Sequence, residues 1–354
     1  MRRKIFRSPA DSALQLLRRA EVIHLATTTP EGMPVLRALD AAVLDDQVCF
    51  HGARSGEKAQ CLGRPAVVSA VELVAHIPSW MVDPHDACPA STLYRSVQLH
   101  GTLREVTEPA AKARMLEALM QRWQPEGRYR PIDPADPHYQ RELAATLVFA
   151  VASERIDGKD KLCQNRKPEE TNSILAGLWT RGDPGDVEAI EAIRDANPGL
   201  PPAPFLQADG VRLEVALGAA DVPEVEALLE GAYWWLPEER PLIGPVHLAS
   251  TAWVGARAPD GALVASARAV SDGDTAWIYD VVVAPAWRGR GLGRRLMTLL
   301  LDHPAVRGAS EARLRTRDAQ GLYAKLGFVD AATRAPRWPT SSDMVLVRPS
   351  PPAR

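Results

Sequence analysis

The stretch VVVAPAWRGRGLGRRLM, residues 281–297, sets a β-branched apolar run against Gly289, Gly291 and Gly293 and then a helix-like pattern. A strand that passes through glycines into a helix constrains this chain more than any of its other features. It lets backbone amides close on a phosphate, because a helix start offers unpaired N–H groups and the positive end of the dipole. Two common phosphate loops do not fit. The dinucleotide fingerprint G-x-G-x-x-G needs a third glycine at 294, where Arg294 stands. It also needs an acidic residue about 20 positions on that closes a parallel βαβ unit. Glu311 is the nearest candidate and opens the strand-like EARLRT instead. A Walker loop fails because no G-K-S/T follows the glycines.

What remains is R-x-x-G-x-G, met by Arg288, Gly291 and Gly293. Around it, TAWVGAR (251–257), ALVASARAV (262–270) and TAWIYDVVV (275–283) read as strands separated by the hairpin signals PDG and SDGD. Pro285 ends the third strand, since it cannot donate to a ladder. Leu292, Leu296, Leu299 and Leu300 then repeat with the spacing of a buried helical stripe. ARLRT (312–316) alternates again, and DAQGLYAKLGF (318–328) reads as an Asp-capped helix stopped by Gly327. This order of elements, the glycine loop and the LYAKLGF segment resemble the GNAT superfamily of N-acetyltransferases over residues 211–348. The resemblance implies an α+β fold with a mixed, mainly antiparallel sheet.

It also implies acetyl-CoA as cosubstrate. Backbone amides from Arg288 through Gly289, Arg290, Gly291 and Gly293 to Arg294 would hold its pyrophosphate, with Arg288 and Arg294 adding charge-assisted donors. The strand ending Asp280, Val281, Val282, Val283 would run beside the pantetheine arm, with a free N–H near Val281 as oxyanion donor. Tyr323 matches the tyrosine that protonates the leaving thiolate; a core tyrosine with a satisfied hydroxyl is the other reading of that residue. Asp280, the only carboxylate in the third strand, is the candidate base, with a structural or substrate-anchoring role equally open. Tyr233, Trp234 and Trp235 with Glu238 and Glu239 occupy the region that shapes the acceptor pocket in this family.

A chain of 354 residues exceeds one ordinary core and is expected to hold about two domains. Lys and Arg total 42 against 44 Asp and Glu, so no basic field points to nucleic acid, and no helix-turn-helix is evident. Cys49, Cys61, Cys88 and Cys163 lie far apart with no C-x-x-C spacing, which argues against a zinc site or a disulfide framework and suits a reducing cytoplasm. The basic start MRRKIFR leads into no apolar run of signal-peptide type, and no stretch of about 18 apolar residues is present for a membrane span. The expected location is cytoplasmic.

The clearest seam is NPGLPPAPFLQADG (197–210), where Pro198, Pro201, Pro202 and Pro204 exclude a helix or a central strand. PEETNSILAGLW and PGDVEAIEAIRDA before it read as two short helices, each with Pro and acidic residues at the start. The domains expected are therefore 1–180, a helical and Pro-rich linker over 181–210, and 211–348.

The first of these reads as a small β-barrel: DSALQLLRRA as a helix, then EVIHLATTT, MPVLRALDAAVL, VCFHG, AVVSAVEL, TLYRSVQLHGTLREV and ATLVFAVAS as strands, with PAAKARMLEALMQRW as a second helix. CFHGARSGEK, then IPSWMVDP, LYRSVQLHG and GKDKLCQNRKPEE resemble in order segments of FMN-binding split barrels: the pyridoxamine phosphate oxidases, PaiB-like proteins and nitroimidazole-resistance proteins. That resemblance implies FMN gripped by Arg37, Ser55 and Lys58, with His51 beside the loop as a contact or proton donor. It further implies a homodimer through the barrel. VLRALD matches the oxidase pattern only loosely around Arg37, so pyridoxamine phosphate oxidation itself is not expected. The function expected is an acetyl-CoA-dependent N-acetyltransferase acting on a small-molecule amine, fused to an FMN-binding split barrel with scope for redox work. A flavin-sensing regulator and a drug-resistance protein acting by nitro-reduction or acetylation are the alternatives.

Overall fold

The computed structural model describes residues 4–333 apart from 237 and 239. The stretch 334–348 of the expected acetyltransferase domain, and Glu239, lie outside them. Packing divides the chain into a first unit up to Gln207 together with Glu214–Ala216, and a second unit of Ala208–Leu213 and everything from Leu217 on.

The first unit opens with β1 (Arg7–Ser8) and α1 (Ala10–Arg19), whose stripe Ala13, Leu14, Leu16 and Leu17 is buried. Next come β2 (Ile23–Thr28), β3 (Pro34–Leu39), β4 (Ala42–Leu44), β5 (Gln47–Gly52), α2 (Glu57–Gln60), β6 (Pro65–Ile77) and β7 (Ser91–Glu105). Helices α3 (Pro109–Trp123) and α4 (Pro137–Ala145) precede β8 (Leu147–Ala152), β9 (Arg155–Lys161), α5 (Pro168–Arg181) and α6 (Asp186–Ala196). The strands hydrogen-bond in the order β3-β2-β6-β7-β8-β5-β4, and β9 joins β7 and β1.

Strand β7 is where this sheet splits. It pairs with β9 along residues 94–100 and with β8 along 103–105. Gly101 sits at the switch, where an added Cβ would fall 2.1 Å from the Ala152 carbonyl oxygen. A side chain cannot occupy that gap, so the crossing requires glycine. Phe50 stacks on Phe149 at 5.1 Å inside a core that includes the fully buried Leu25, Val68, Val97, Leu99, Leu103 and Val151. Met115 and Leu119 of α3 cover a second cluster with Ala42, Cys49, Val148 and Ala150. The unit is the expected β-rich fold resembling a split barrel. Along the Pro-rich stretch, Phe205 stacks on Trp179 of α5 at 5.0 Å, and Ala203 and Leu206 are buried.

The second unit holds Arg212 and Leu213 of β10 (Arg212–Glu214), then α7 (Val222–Leu229), α8 (Arg240–Leu248), β11 (Ala252–Arg257), β12 (Leu263–Ser271), β13 (Thr275–Val283), α9 (Leu292–Asp302), β14 (Glu311–Arg313) and α10 (Gln320–Ala324). Its sheet runs β10-β11-β12-β13-β14; β11, β12 and β13 pair antiparallel, and β14 lies parallel to β13. This is the mixed, mainly antiparallel sheet expected. Helix α9 buries Leu292, Leu296, Met297, Leu299 and Leu300, the stripe its leucine spacing calls for. The helix at 318–328 differs in its cap. Asp318 makes no capping bond; Ala319 is the N-cap residue, and its N–H donates to Thr316 Oγ1 at 3.0 Å. Gly327, at φ +89°, ends the turn as expected.

Candidate active site

Strand β13 carries an irregularity at its centre. Tyr279 pairs with Arg268 and Val282 with Ser266, so Asp280 and Val281 together face Ala267. Two residues against one is a β-bulge, and Asp280 takes the left-handed φ of +51° that this demands. The bulge interrupts the ladder to β12 at Val281. On its other edge β13 pairs with β14 only along Thr275–Trp277. The end of β13 from Ile278 to Val283 therefore has no strand beside it on that edge among the described residues. An extended ligand arm can add there as a further strand.

The glycine loop begins where this open edge ends. After a 3₁₀ turn at Pro285–Trp287, Gly289 and Gly291 both adopt left-handed φ, +75° and +79°, and Gly291 is the N-cap residue of α9. Beyond the glycine's own chain neighbours, no atom of a described residue lies within 4 Å of where a Cβ would project from either glycine. The loop is thus an exposed backbone turn at the amino end of an 11-residue helix that has no side-chain cap. That combination fits a pyrophosphate: free N–H groups, a positive dipole end, and space that only side chains would fill. Gly293 lies against Val283 and Leu322, and a Cβ there would meet them at 3.6 and 3.7 Å. The Arg288 Nε donates to the Val283 carbonyl at 2.9 Å, tying the loop to the end of β13. The Arg290 guanidinium covers the Trp287 ring at 5.1 Å, and Arg294 projects to solvent from the first turn of α9.

Tyr323, on α10, is 8 % exposed and packs edge-on against Phe328 at 5.8 Å. Its hydroxyl makes no hydrogen bond to a described residue. Burial raises its pKa above the usual phenol value, with Tyr233 and Asp318 adding to the rise. Tyr233 accepts a hydrogen bond from the Arg317 N–H at 2.9 Å, lies 3.7 Å under the Arg317 guanidinium, and meets Trp234 edge-on at 4.8 Å. The aromatic loop and the Tyr323 helix therefore converge.

Asp280 is not free. Its Oδ2 accepts from Arg268 Nε at 2.6 Å and lies 3.7 Å from His247 Nε2. Its Oδ1 has no hydrogen-bond partner among the described residues. Sequence reasoning missed both neighbours, because a lone histidine on a helix and an arginine in an alternating strand carry no signal by spacing.

In the first unit, Arg37 of β3 and Lys58 of α2 come close enough for the Arg37 charge to act on the lysine. Burial chiefly, then Arg37, lower the Lys58 pKa. Arg37 is ion-paired with Glu57. Lys58 has no carboxylate partner among the described residues; its ammonium sits 5.7 Å from the Phe50 ring centre. A half-buried cation without an anion suits a phosphate. Ser55 is exposed in the turn before α2, and His51 is exposed near the end of β5. Trp80, in the IPSWMVDP stretch, is 54 % exposed. No described helix is long and apolar enough to cross a membrane.

Residues 9–160 match the pyridoxamine 5'-phosphate oxidase family, and residues 225–328 match the acetyltransferase (GNAT) family. The chain is 36 % identical over 108 residues to glucosamine 6-phosphate N-acetyltransferase 1 of Oryza sativa subsp. japonica, covering 29 % of this chain and 66 % of that protein. It is 30 % identical over 183 residues to mycothiol acetyltransferase of Gordonia bronchialis, covering 43 % of this chain and 59 % of that protein. It thus spans a little under two thirds of the length of each of these relatives. Among solved structures, the FAD and heme binding protein from Mycobacterium smegmatis is 24 % identical with a TM-score of 0.37, covering 43 % of this chain and 71 % of that one. The chain accordingly joins a domain of the pyridoxamine 5'-phosphate oxidase family to a domain of the GNAT acetyltransferase family.

Proposed function

We propose that the second unit transfers the acetyl group of acetyl-CoA to the amine of a small molecule. The observation that carries this reading is the open edge of β13, bulged at Asp280–Val281 and followed by the glycine loop at the start of α9. The Arg288 N–H already donates to the Pro285 carbonyl at 3.2 Å, so the amides of residues 289–294 hold the pyrophosphate, and the edge of Val281–Val283 aligns the thioester arm. The N–H freed by the bulge near Val281 donates to the thioester oxygen as it gains charge. The acceptor ammonium gives a proton toward Asp280. Its nitrogen then forms the new C–N bond as the C–S bond breaks; the Tyr323 hydroxyl protonates the departing thiolate and recovers its proton as the new amide nitrogen sheds its second one. A phenol kept neutral by burial is ready for that task at neutral pH.

Relatives are named for glucosamine 6-phosphate, for mycothiol and for the alanine of ribosomal protein bS18, which motivates a test panel of glucosamine 6-phosphate, a peptide with an amino-terminal alanine and tyramine, the last for the aromatic loop at Tyr233 and Trp234. Thiol release from acetyl-CoA with these amines tests the reading. Release no faster than without protein would sink it.

For the first unit the proposed ligand is FMN, with Lys58 and Arg37 facing its phosphate and Ser55 and His51 at the same loop. Bound FMN would supply redox chemistry that the side chains lack. The unpaired Lys58 ammonium supports this assignment. Met33, Leu36, Val71 and Leu73 are more than half exposed on the strands and turn of this unit. Such a surface is covered when two copies pair, and a homodimer through the first unit is the proposed assembly. Light scattering that returns a monomer at micromolar concentration would contradict it.

A further inference from the structure

His247 lies on α8 with a wholly buried side chain, edge-on to Trp253 of β11 at 5.0 Å. Its Nδ1 is 2.8 Å from the Ile243 carbonyl oxygen, one turn back on the same helix. A carbonyl only accepts, so Nδ1 must carry the proton. In the neutral ring this leaves Nε2 as a bare acceptor, and Nε2 is a buried atom with no hydrogen-bond partner.

That lone pair is aimed at Asp280. The Nε2 to Oδ2 separation is 3.7 Å. Two acceptors face each other there, and a bridging water would need about 5.5 Å between them. The gap is therefore one proton short, at the carboxylate proposed to meet the acceptor ammonium. The groups facing His247 are Asp280 from β13, Arg268 from β12, Trp253 from β11 and the Ile243 carbonyl on its own helix. Arg268 also donates to Oδ2 of Asp280 at 2.6 Å and toward Ser250 Oγ at 3.4 Å, which fixes the carboxylate in place. Burial first, and the Arg268 charge besides, push the His247 pKa below its ordinary value, while the Ile243 bond and Asp280 oppose the fall. The resting ring is neutral near pH 7, so the site stands open to a proton.

We infer that His247 is the proton-holding partner of Asp280: Asp280 takes a proton from the acceptor ammonium and then passes that proton to His247 Nε2. The N–H bond of the ammonium breaks, its electron pair stays on nitrogen for attack, and the charge ends on the imidazole. The relay moves the proton off the carboxylate, which leaves Asp280 charged beside the attacking nitrogen. The shift from 3.7 Å to hydrogen-bond distance asks for less than 1 Å of side-chain movement.

This inference rests on the acetyltransferase reading, and its test separates the two. Histidine-labelled full-length protein, with His247 assigned by comparison with His247→Gln, is titrated by ¹⁵N NMR. The expected result is a protonated Nδ1 and a bare Nε2 at pH 7.5. The midpoint should lie below that of a free histidine and fall further in Asp280→Asn, which removes the charge opposing the fall. A ring protonated on Nε2, or a midpoint indifferent to Asp280→Asn, overturns the inference whether or not any amine turns over. With whichever of the three panel amines reacts fastest, His247→Gln should lower kcat by roughly 10²-fold and leave the KM for acetyl-CoA unchanged. The acid limb of the pH profile should vanish with the histidine. An unchanged acid limb in His247→Gln contradicts it. Failure of all three amines counts against the acetyltransferase reading, and the NMR result still decides the inference.

Discussion

Replacing Gly291 with alanine separates the two reasons a glycine stands there. Its φ is +79°, so a Cβ carries the left-handed penalty of about 1–2 kcal/mol. At roughly 2–4 °C of Tm per kcal/mol for a unit of this size, melting should fall by a few degrees. The second effect falls on ligand alone. No protein atom lies within 4 Å of that Cβ, so the methyl enters the cradle and holds the pyrophosphate off at least one amide. A hydrogen bond to a charged group is worth about 1.5–3 kcal/mol, which corresponds to roughly 10- to 100-fold weaker binding. Gly261→Ala is the control. Gly261 has φ +89° in the turn between β11 and β12, and its Cβ would also meet nothing within 4 Å. Both variants should lose similar stability, and only Gly291→Ala should lose affinity for CoA in a calorimetric titration. Equal CoA affinity in the two variants would refute the cradle.

Tyr323→Phe should leave CoA affinity and urea stability nearly unchanged, because the hydroxyl bonds no described residue, while turnover in the thiol-release assay falls by roughly 10²–10⁴; unchanged turnover assigns the tyrosine to packing. The second unit should also weaken in acid. Burial lowers the His303 pKa to about 4 from 6.5, so the folded state binds fewer protons than the unfolded chain between those values. Stability is then complete above pH 6.5 and falls by up to about 3 kcal/mol as pH drops to 4, with His247 adding in the same direction. Urea midpoints at pH 7 and pH 4.5 check this, and equal midpoints contradict it. Lys58→Glu should abolish retention of FMN after reconstitution with the fold intact by circular dichroism, and full flavin absorbance would remove Lys58 from the site.

Much of the second site was legible because its chemistry is local. Gly289 and Gly291 announce left-handed backbone by residue type, and the leucine spacing of α9 fixes the face that packs on the sheet. The bulge at Asp280 is not local. It depends on the register between β12 and β13, which no spacing in TAWIYDVVV reveals. His247 escaped for the same reason, since it acquires meaning only when α8 lays it beside Asp280. In the first unit, β9 went unread because RIDGKDK lacks apolar alternation; its backbone pairs with β7 regardless. Asp318 reads as the cap of α10 by residue type, but the helix starts one residue later with Ala319 as its N-cap and no side-chain cap.

The most direct measurement is a simultaneous count of free thiol and N-acetylated amine formed from acetyl-CoA by the full-length protein with the three-amine panel. The expected result is one acetylated amine per thiol with at least one member of the panel, and a sharply slower rate for Tyr323→Phe. Thiol without acetylated amine, or neither product above the protein-free rate, would contradict acetyl transfer at the β13 edge.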